Sequence, residues 1–322
     1  MARIAPLPQT DRAFAADVRA GLTNDLQKQL PSRYLYDTVG SGLFEVITAL
    51  PEYGVTRAEE RIVRSHAAEV ASRLPTHALV AELGSGSGRK TRCLLEAFCR
   101  RHAVTYCPID ISPTALALCR HGLADIPGLR VVGHERDYLD GLTRIVAERK
   151  FAAPLLVLFL GSTIGNFRRL AATRFMREVR ALLHAGDAFL LGVDLIKPES
   201  DLLPAYDDAL GVTAAFNLNL LARINRELGG QFELRRFAHE ARFDPEKRSV
   251  DMHLRSLQEQ QVDIPGAGVV VRFGRDETIW TESSHKYLAE EVVAMGELAG
   301  FRCDGQWTDG AWPFADTLFG VD

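Results

Sequence analysis

An acidic residue and three alternating glycines stand together in Glu82-Leu-Gly-Ser-Gly-Ser-Gly88. The run before it, Ala78-Leu-Val-Ala-Glu82, is apolar like a buried strand, and the residues after it read as a helix. Glycine lets a backbone turn tightly and approach a ligand closely. A helix start offers main-chain N–H groups that have no intrahelical partner. Strand, glycine loop and helix in this order build nucleotide-type sites at the carboxyl ends of strands. The dinucleotide pattern G-x-G-x-x-G fails here, because Arg89 stands where its third glycine would be.

Further polar residues fall at the ends of later strand-like runs. Asp110 ends Thr105-Tyr-Cys-Pro-Ile-Asp110. An acidic residue about 20 positions past such a loop can accept hydrogen bonds from ribose hydroxyls. Its other reading is a helix N-cap, for which Ser112-Pro113 is the better candidate. Asp137-Tyr138 follows the next run. A carboxylate there can meet the exocyclic amine of an adenine, or cap the following helix. Gly161-Ser-Thr-Ile-Gly-Asn166 follows a fully apolar run. Asn166 can bind a small substrate through its amide, or close a glycine-rich turn. The segments Arg33–Ser41 and Pro51–Thr56 are rich in aromatic and turn residues. Such rings can face a cation or simply pack. Glu282 and Ser284 are two apart, a spacing that puts both on one face of a strand. On residue type alone a surface pair is the commoner outcome.

These residues need a scaffold, and the pattern supplies one. Strands are expected at 78–83, 104–109, 130–134, 155–160 and 187–194, with helices at 89–102, 113–122, 138–149 and 167–184. That alternation predicts a parallel α/β sheet. Pro154-Leu-Leu-Val-Leu-Phe-Leu160 is apolar throughout, as a strand covered on both faces should be. One long helix is expected at 206–228. Antiparallel strands should fill 231–273, broken by Asp244-Pro-Glu-Lys and Pro265-Gly-Ala-Gly. A helix at 285–299 and strands at 301–307 and 314–320 would return to the first sheet. The expected organisation is therefore a nucleotide-type domain of residues 61–197 and 285–322. Residues 198–284 are inserted into it, and a largely helical segment, 1–60, joins the inserted part.

The chain has 322 residues, 47% of them hydrophobic, enough for one large domain or two smaller ones. Its formal net charge of −4 argues against a general nucleic-acid binder. Five cysteines, with no C-x-x-C, favour neither a disulfide framework nor a zinc site. The start, Met1-Ala-Arg-Ile-Ala-Pro, has no apolar leader core, and no run reaches the ~18 apolar residues of a membrane helix. A cytoplasmic protein without membrane or nucleic-acid partners is expected.

Taken together, the motifs resemble one family, the histidine Nα-methyltransferases of ergothioneine biosynthesis. The resemblance runs through Tyr36-Asp-Thr-Val-Gly-Ser41, Leu50-Pro-Glu-Tyr53, Glu82-Leu-Gly-Ser-Gly86 and Phe159-Leu-Gly-Ser-Thr-Ile-Gly-Asn166. It continues through Ala205-Tyr-Asp-Asp208, Gly211-Val-Thr-Ala-Ala-Phe-Asn217 and Thr281-Glu-Ser-Ser284. It implies a Rossmann-like class I methyltransferase sheet of the α/β class with an inserted α+β substrate-binding domain. It also implies S-adenosylmethionine as cofactor, and free L-histidine trimethylated to hercynine by a monomer. By the same resemblance Glu82, Gly84, Gly86, Lys90, Asp110, Asp137 and Tyr138 hold the cofactor. Asn166 and Tyr206 meet the carboxylate and amino end of histidine, with Gly161 and Tyr36 near the amine. Glu282 and Ser284 take the imidazole, in a pocket lined by Tyr53 and Met252, and Phe44 joins the substrate site. Gly88, Gly54 and Tyr138 depart from the family pattern. The Asn/Asp-Pro-Pro-aromatic motif of DNA amino-methyltransferases is missing after the fourth strand.

Methyl transfer from a sulfonium to an amine needs aligned partners and a neutral amine, and it needs no metal. Glu282 can accept from one imidazole N–H, and Ser284 can donate or accept at the other nitrogen. No residue stands out as a general base, with Tyr36 or a water path both open. A methyltransferase of the same fold for another amino acid or small amine is the alternative.

Overall fold

The computed structural model describes residues 9–74, 79–149 and 153–322, so Ala78 lies outside them. In chain order, helix α1 (Gln9–Leu22) and the short strand β1 (Lys28–Gln29) lead to α2 (Thr38–Ala49) and α3 (Gly54–Arg73). Strands and helices then alternate: β2 (Leu79–Leu83), α4 (Arg92–Cys99), β3 (Val104–Asp110), α5 (Pro113–Gly122), β4 (Leu129–Val131), β5 (His134–Glu135), α6 (Tyr138–Glu148), β6 (Leu155–Phe159), α7 (Arg169–Leu182) and β7 (Ala188–Asp194). Helices α8 (Glu199–Tyr206) and α9 (Val212–Leu228) precede β8 (Phe237–Asp244), β9 (Ser249–Ser256), β10 (Gln260–Ile264), β11 (Val269–Phe273) and β12 (Thr278–His285). Helix α10 (Ala289–Leu298) and strands β13 (Arg302–Asp309) and β14 (Phe314–Gly320) follow.

The chain divides into two compact units. One takes residues up to Glu52 together with Glu199–Ser283, and the other takes Tyr53–Pro198 and Ser284–Asp322. The division falls inside β12.

The second unit is built on a sheet of order β13-β14-β7-β6-β2-β3-β4, with β5 also paired to β3. Strands β2 to β7 run parallel, whereas β14 is antiparallel to β7 and β13 to β14. Every residue of β6, β7 and β14 is buried, which is why their sequences are apolar runs rather than alternations. Helices α6, α7 and α10 pack on one face, and α3, α4 and α5 on the other. In α7 the buried residues Ala172, Phe175, Met176 and Val179 keep helical spacing, so one stripe faces the sheet. From β2 the chain winds outward through β3 to β4, then crosses back to β6 and winds the other way. Strand order therefore reverses between β2 and β6, and at such a point the loops after the two strands leave a crevice for a ligand.

In the first unit, β1, β12, β9 and β8 form one sheet and β10–β11 a separate hairpin. Helix α9 buries Phe216, Leu220, Leu221 and Ile224.

Several boundaries differ from the sequence expectation. The helix expected over 206–228 begins only at Val212, as α9, and Tyr206 instead ends α8. Asp208 breaks the expected helix by accepting from the Thr213 and Val212 N–H groups at 2.7 and 2.9 Å. Gly211, with φ +73°, supplies the left-handed residue the break needs. The helix expected from 285 starts at Ala289, because β12 runs to His285 and Tyr287 bridges to Leu195. The strand expected at 130–134 is split into β4 and β5, and the helix expected at 89–102 shortens to Arg92–Cys99. No described helix is long and apolar enough to cross a membrane.

Candidate active site

The glycine loop leaves the end of β2 with Gly84 and Gly86 in left-handed conformations, φ +73° and +52°. Its amides are tied to β3. Gly84 N–H and Ser85 N–H donate to the Ile109 carbonyl at 2.8 and 3.3 Å. Gly86 N–H donates to Asp110 Oδ2 at 3.1 Å, and Ser112 N–H to Oδ1 at 2.9 Å. Asp110 thus joins the loop to the start of α5. The cap of α5 is Ser112, whose Oγ accepts from Ala115 N–H at 3.2 Å with Pro113 in the first turn. Burial raises the Asp110 carboxyl above its ordinary value, against the backbone N–H groups that favour its charge. At Gly88, an added Cβ would meet Cys119 Sγ at 2.7 Å. The third glycine therefore lets the loop close on α5.

Glu82 lies at the end of β2, below the level of the solvent-exposed surface. Its carboxylate is enclosed in the protein, where Thr91 Oγ1 donates to it at 2.9 and 2.7 Å and the Tyr106 hydroxyl donates as well. Burial pushes this carboxyl up to about 7. Through Thr91, the N-cap of α4, and Tyr106 of β3, Glu82 ties the end of β2 to the elements on either side of the glycine loop. Tyr138 lies over the loop: a Cβ on Gly84 would come within 3.3 Å of its ring and hydroxyl. The ring is held edge-on to Phe159 and Phe175 at 5.4 and 6.3 Å. Asp137 occupies the N-cap position of α6, is exposed, and makes no capping hydrogen bond through its side chain.

These parts fit an adenosyl group. Successive strand ends offer a glycine backbone with no Cβ in the way, a carboxylate suited to hydroxyl donors, and an exposed carboxylate suited to an amine beside an aromatic ring.

Across the strand-order reversal, Gly161 (φ +76°) and Ser162 (φ +58°) turn the chain out of β6 into a 3-10 turn, Thr163–Asn166. Gly161 N–H donates to Glu59 Oε1 at 2.6 Å, and Glu59 Oε2 pairs with Lys90 Nζ at 2.7 Å. A Cβ on Gly161 would lie 2.7 Å from that same Nζ. Glu59, reaching in from α3, therefore links the loops after β2 and β6. Asn166 is half-buried at the end of the turn. The turn is anchored by His285, whose Nδ1 donates to the Gly165 carbonyl at 2.9 Å.

Ser284, beside His285, accepts from Lys286 Nζ at 2.9 Å. Lys286 and Lys197 both pair with the fully buried Asp194, at 2.8 and 2.6 Å, and Trp312 Nε1–H donates to it at 2.9 Å. Burial alone would raise Asp194, but the two ammonium groups hold it below the usual carboxylate range. Tyr53 is buried at the start of α3. The glycine after it has a packing reason, since a Cβ on Gly54 would strike the Trp312 ring at 2.2 Å.

In the first unit, Tyr36 and Phe44 share a cluster with Phe216, with ring centroids 5.5 to 6.0 Å apart. Asp37 caps α2 through Gly40 N–H at 2.7 Å and accepts from Asn219 Nδ2 of α9 at 2.7 Å. Tyr206 ends α8, and its carbonyl accepts from His239 Nε2 at 2.7 Å. Met252 is buried in β9, and its carbonyl accepts from Thr281 at 3.0 Å. Glu282 lies two residues before Ser284 on β12, half-buried where Ser284 is buried.

A family model described as a histidine-specific, S-adenosylmethionine-dependent methyltransferase matches residues 14–321. The chain belongs to this family. It is 40% identical over 310 residues to the histidine N-alpha-methyltransferase of Mycolicibacterium smegmatis, covering 95% of this chain and 94% of that protein. It is 33% identical over 293 residues to ergothioneine biosynthesis protein 1 of Neurospora crassa, covering 89% of this chain and 32% of the longer relative. A methyltransferase structure from Clostridium acetobutylicum aligns over 88% of this chain and 99% of its own, at 12% identity and TM-score 0.46.

Sequence reasoning missed Glu59, Lys286, His239 and Asp316. Glu59 reads as one more charge on an amphipathic helix. Lys286 and His239 carry no spacing signal. Asp316 had one: a lone carboxylate in the apolar run Phe314–Gly320, where nothing in the sequence offers it a partner.

Proposed function

We propose that this methyltransferase acts on the α-amino nitrogen of free L-histidine, transferring three methyl groups in turn to give hercynine for ergothioneine biosynthesis. The observation that carries the reading is the pairing of a glycine loop anchored by Asp110 with the Gly161–Asn166 turn, at the strand-order reversal of a histidine-specific family's sheet. When bound, S-adenosylmethionine supplies a methyl group already activated by the positive sulfur. The protein's task is alignment. The N–C bond forms as the S–C bond breaks, and its electron pair stays on sulfur. The amine must arrive neutral, because an ammonium has no lone pair. Its proton leaves by Tyr36 or a water path.

In this reading Asn166 and Tyr206 clamp the zwitterionic end, and Gly161 and Tyr36 face the amine. Aromatic faces such as Tyr36 suit the cation that grows with each methylation. Glu282 accepts from an imidazole N–H and Ser284 meets the other nitrogen, with Tyr53, Phe44 and Met252 around the ring. The enzyme is read as a cytoplasmic monomer acting on small molecules, in keeping with its modest negative charge.

One relative favours a second reading. The L-tryptophan methyltransferase trpM of Psilocybe serbica is 26% identical over 307 residues, so another amino acid is the runner-up acceptor. The presence of both Glu282 and Ser284 supports histidine.

Incubation with S-adenosylmethionine and each free amino acid, followed by mass spectrometry, tests the proposal. Gains of one to three methyl groups should fall on histidine alone, and a flat response to histidine sinks it. Histamine, which lacks the carboxylate, should turn over poorly. Glu282→Ala should raise KM for histidine by about 1–3 kcal/mol in binding terms.

A further inference from the structure

Behind the Gly161 turn, side chains from three elements meet in the interior. Glu59 of α3 is fully buried, with Oε1 on Gly161 N–H at 2.6 Å and Oε2 on Lys90 Nζ at 2.7 Å. Asp316 of β14 is 1% exposed, and neither of its oxygens has a hydrogen-bond partner. Gly192 of β7, paired in register with Asp316, gives them room: a Cβ there would meet Glu59 Oε1 at 2.2 Å and Asp316 Oδ1 at 2.9 Å.

We propose that Asp316 is a neutral carboxylic acid in the folded enzyme, and that Glu59 and Asp316 together are positioning residues that keep Lys90 and the Gly161 N–H on one carboxylate. The positioning role rests on the proposed function, in which the methyl acceptor approaches at Gly161. The protonation state does not.

Lys90 is the ammonium next to this pair, and Glu59 already holds it. A second buried carboxylate would have neither a hydrogen bond nor a counterion of its own, which is costly in a low-dielectric interior. Burial first, and Glu59 next, push the Asp316 carboxyl well above its ordinary value, with only Lys90 opposing. Among the described residues, no other neighbour supplies positive charge to Asp316. Strand β7 presents Gly192 at this point, and its next acidic residue, Asp194, is held by Lys197 and Lys286. The β13 residue paired with Asp316 is Trp307, which is uncharged. Glu82 acts on Lys90 and adds negative charge. If Asp316 ionised, it would compete with Glu59 for Lys90. The ammonium would then leave its position beside Gly161, and the turn after β6 would lose its tie to the glycine loop.

Three measurements on the full-length protein test this. The infrared band of a protonated carboxylic acid should be present at pH 8 in the wild type and lost in Asp316→Asn. The melting temperature of wild type minus that of Asp316→Asn should fall steadily from pH 5 to pH 8. The sign follows from linkage: a group whose pKa is raised on folding contributes stability below its unfolded pKa and loses it as pH rises toward the folded one. In turnover at pH 8, Glu59→Gln should lower kcat at least tenfold, and the fall in Asp316→Asn should be at least threefold smaller, because an amide imitates the neutral acid. A missing infrared band, or a constant melting difference across pH, overturns the neutral acid. Equal loss of kcat in the two variants overturns the positioning role. Should Glu59→Gln fail to fold, the infrared and melting comparisons still decide the protonation state, and kcat of Glu59→Asp, which keeps the charge but shortens the reach, takes its place for the positioning role. A wild-type protein that methylates no amino acid would overturn the proposed function, while leaving the infrared and melting results readable.

Discussion

His239 donates its Nε2 hydrogen to the main-chain carbonyl of Tyr206 at 2.7 Å. The tautomer is set from behind, because the Asn217 side-chain amide donates to Nδ1 at 2.9 Å. The end of α8 is thereby held on β8, and the placement of Tyr206 depends on an imidazole that need not touch substrate. His239→Ala should weaken histidine binding by about 1 kcal/mol, roughly a net hydrogen bond, while S-adenosylmethionine binding stays as it is. Calorimetry with each ligand checks this. Unchanged histidine affinity would detach Tyr206 from the substrate site or His239 from Tyr206.

Asp110 serves two backbone amides, those of Gly86 and Ser112. Asp110→Ala removes both acceptors and should weaken S-adenosylmethionine binding by about 1–3 kcal/mol. Asp110→Asn, whose side chain keeps a single acceptor oxygen, should fall between. Equal affinities in all three proteins would take Asp110 out of the cofactor site.

The scaffold was readable where one kind of residue dominates a run. Strand β6 is apolar because both its faces are covered, and the glycine loop is visible because left-handed turns select glycine. The breaks were harder. Asp208 looks like any polar residue on a long helix until its carboxylate is seen to hold the amides of Val212 and Thr213. Glu59 is harder still. It stands beside Glu60, which pairs with Arg89 toward the surface. The two differ only by one step of helical rotation, which turns Glu59 toward a lysine far away in sequence. Contacts of that kind, made between distant segments, leave no local mark.

Gly161 is expected to tolerate no side chain. Its φ of +76° disfavours one, and an added Cβ would press on Lys90 Nζ at 2.7 Å. Gly161→Ala should cost about 1–3 kcal/mol of stability through backbone strain and lower kcat about tenfold or more, since each 1.36 kcal/mol in the barrier is tenfold. Thermal melting and initial rates measure the two effects separately. A variant with wild-type kcat would show that the turn adapts freely.

Glu82 should make the protein less stable as pH rises. Its carboxyl is pushed up to about 7 by burial, against the hydrogen bonds of Tyr106 and Thr91. The unfolded value is about 4.3, so the folded state binds this proton more tightly. The resulting stability is complete below about 4.3 and is lost as pH climbs from there through 7, with a ceiling of about 4 kcal/mol. Glu82→Gln removes that dependence. The stability of wild type minus that of the variant should therefore fall between pH 5 and pH 8.5, read from denaturation midpoints. Parallel curves would mean that Glu82 is ionised throughout.

Gly192 ties three separate stretches of the chain into one unit of variation. The space its missing side chain leaves is filled by Glu59 from one side and Asp316 from the other. A homologue with alanine or serine at that position cannot also keep both carboxyl groups where they lie here. Positions 59, 192 and 316 should therefore be inherited as a set, and swapping any one of them between distant relatives should fail unless the other two travel with it.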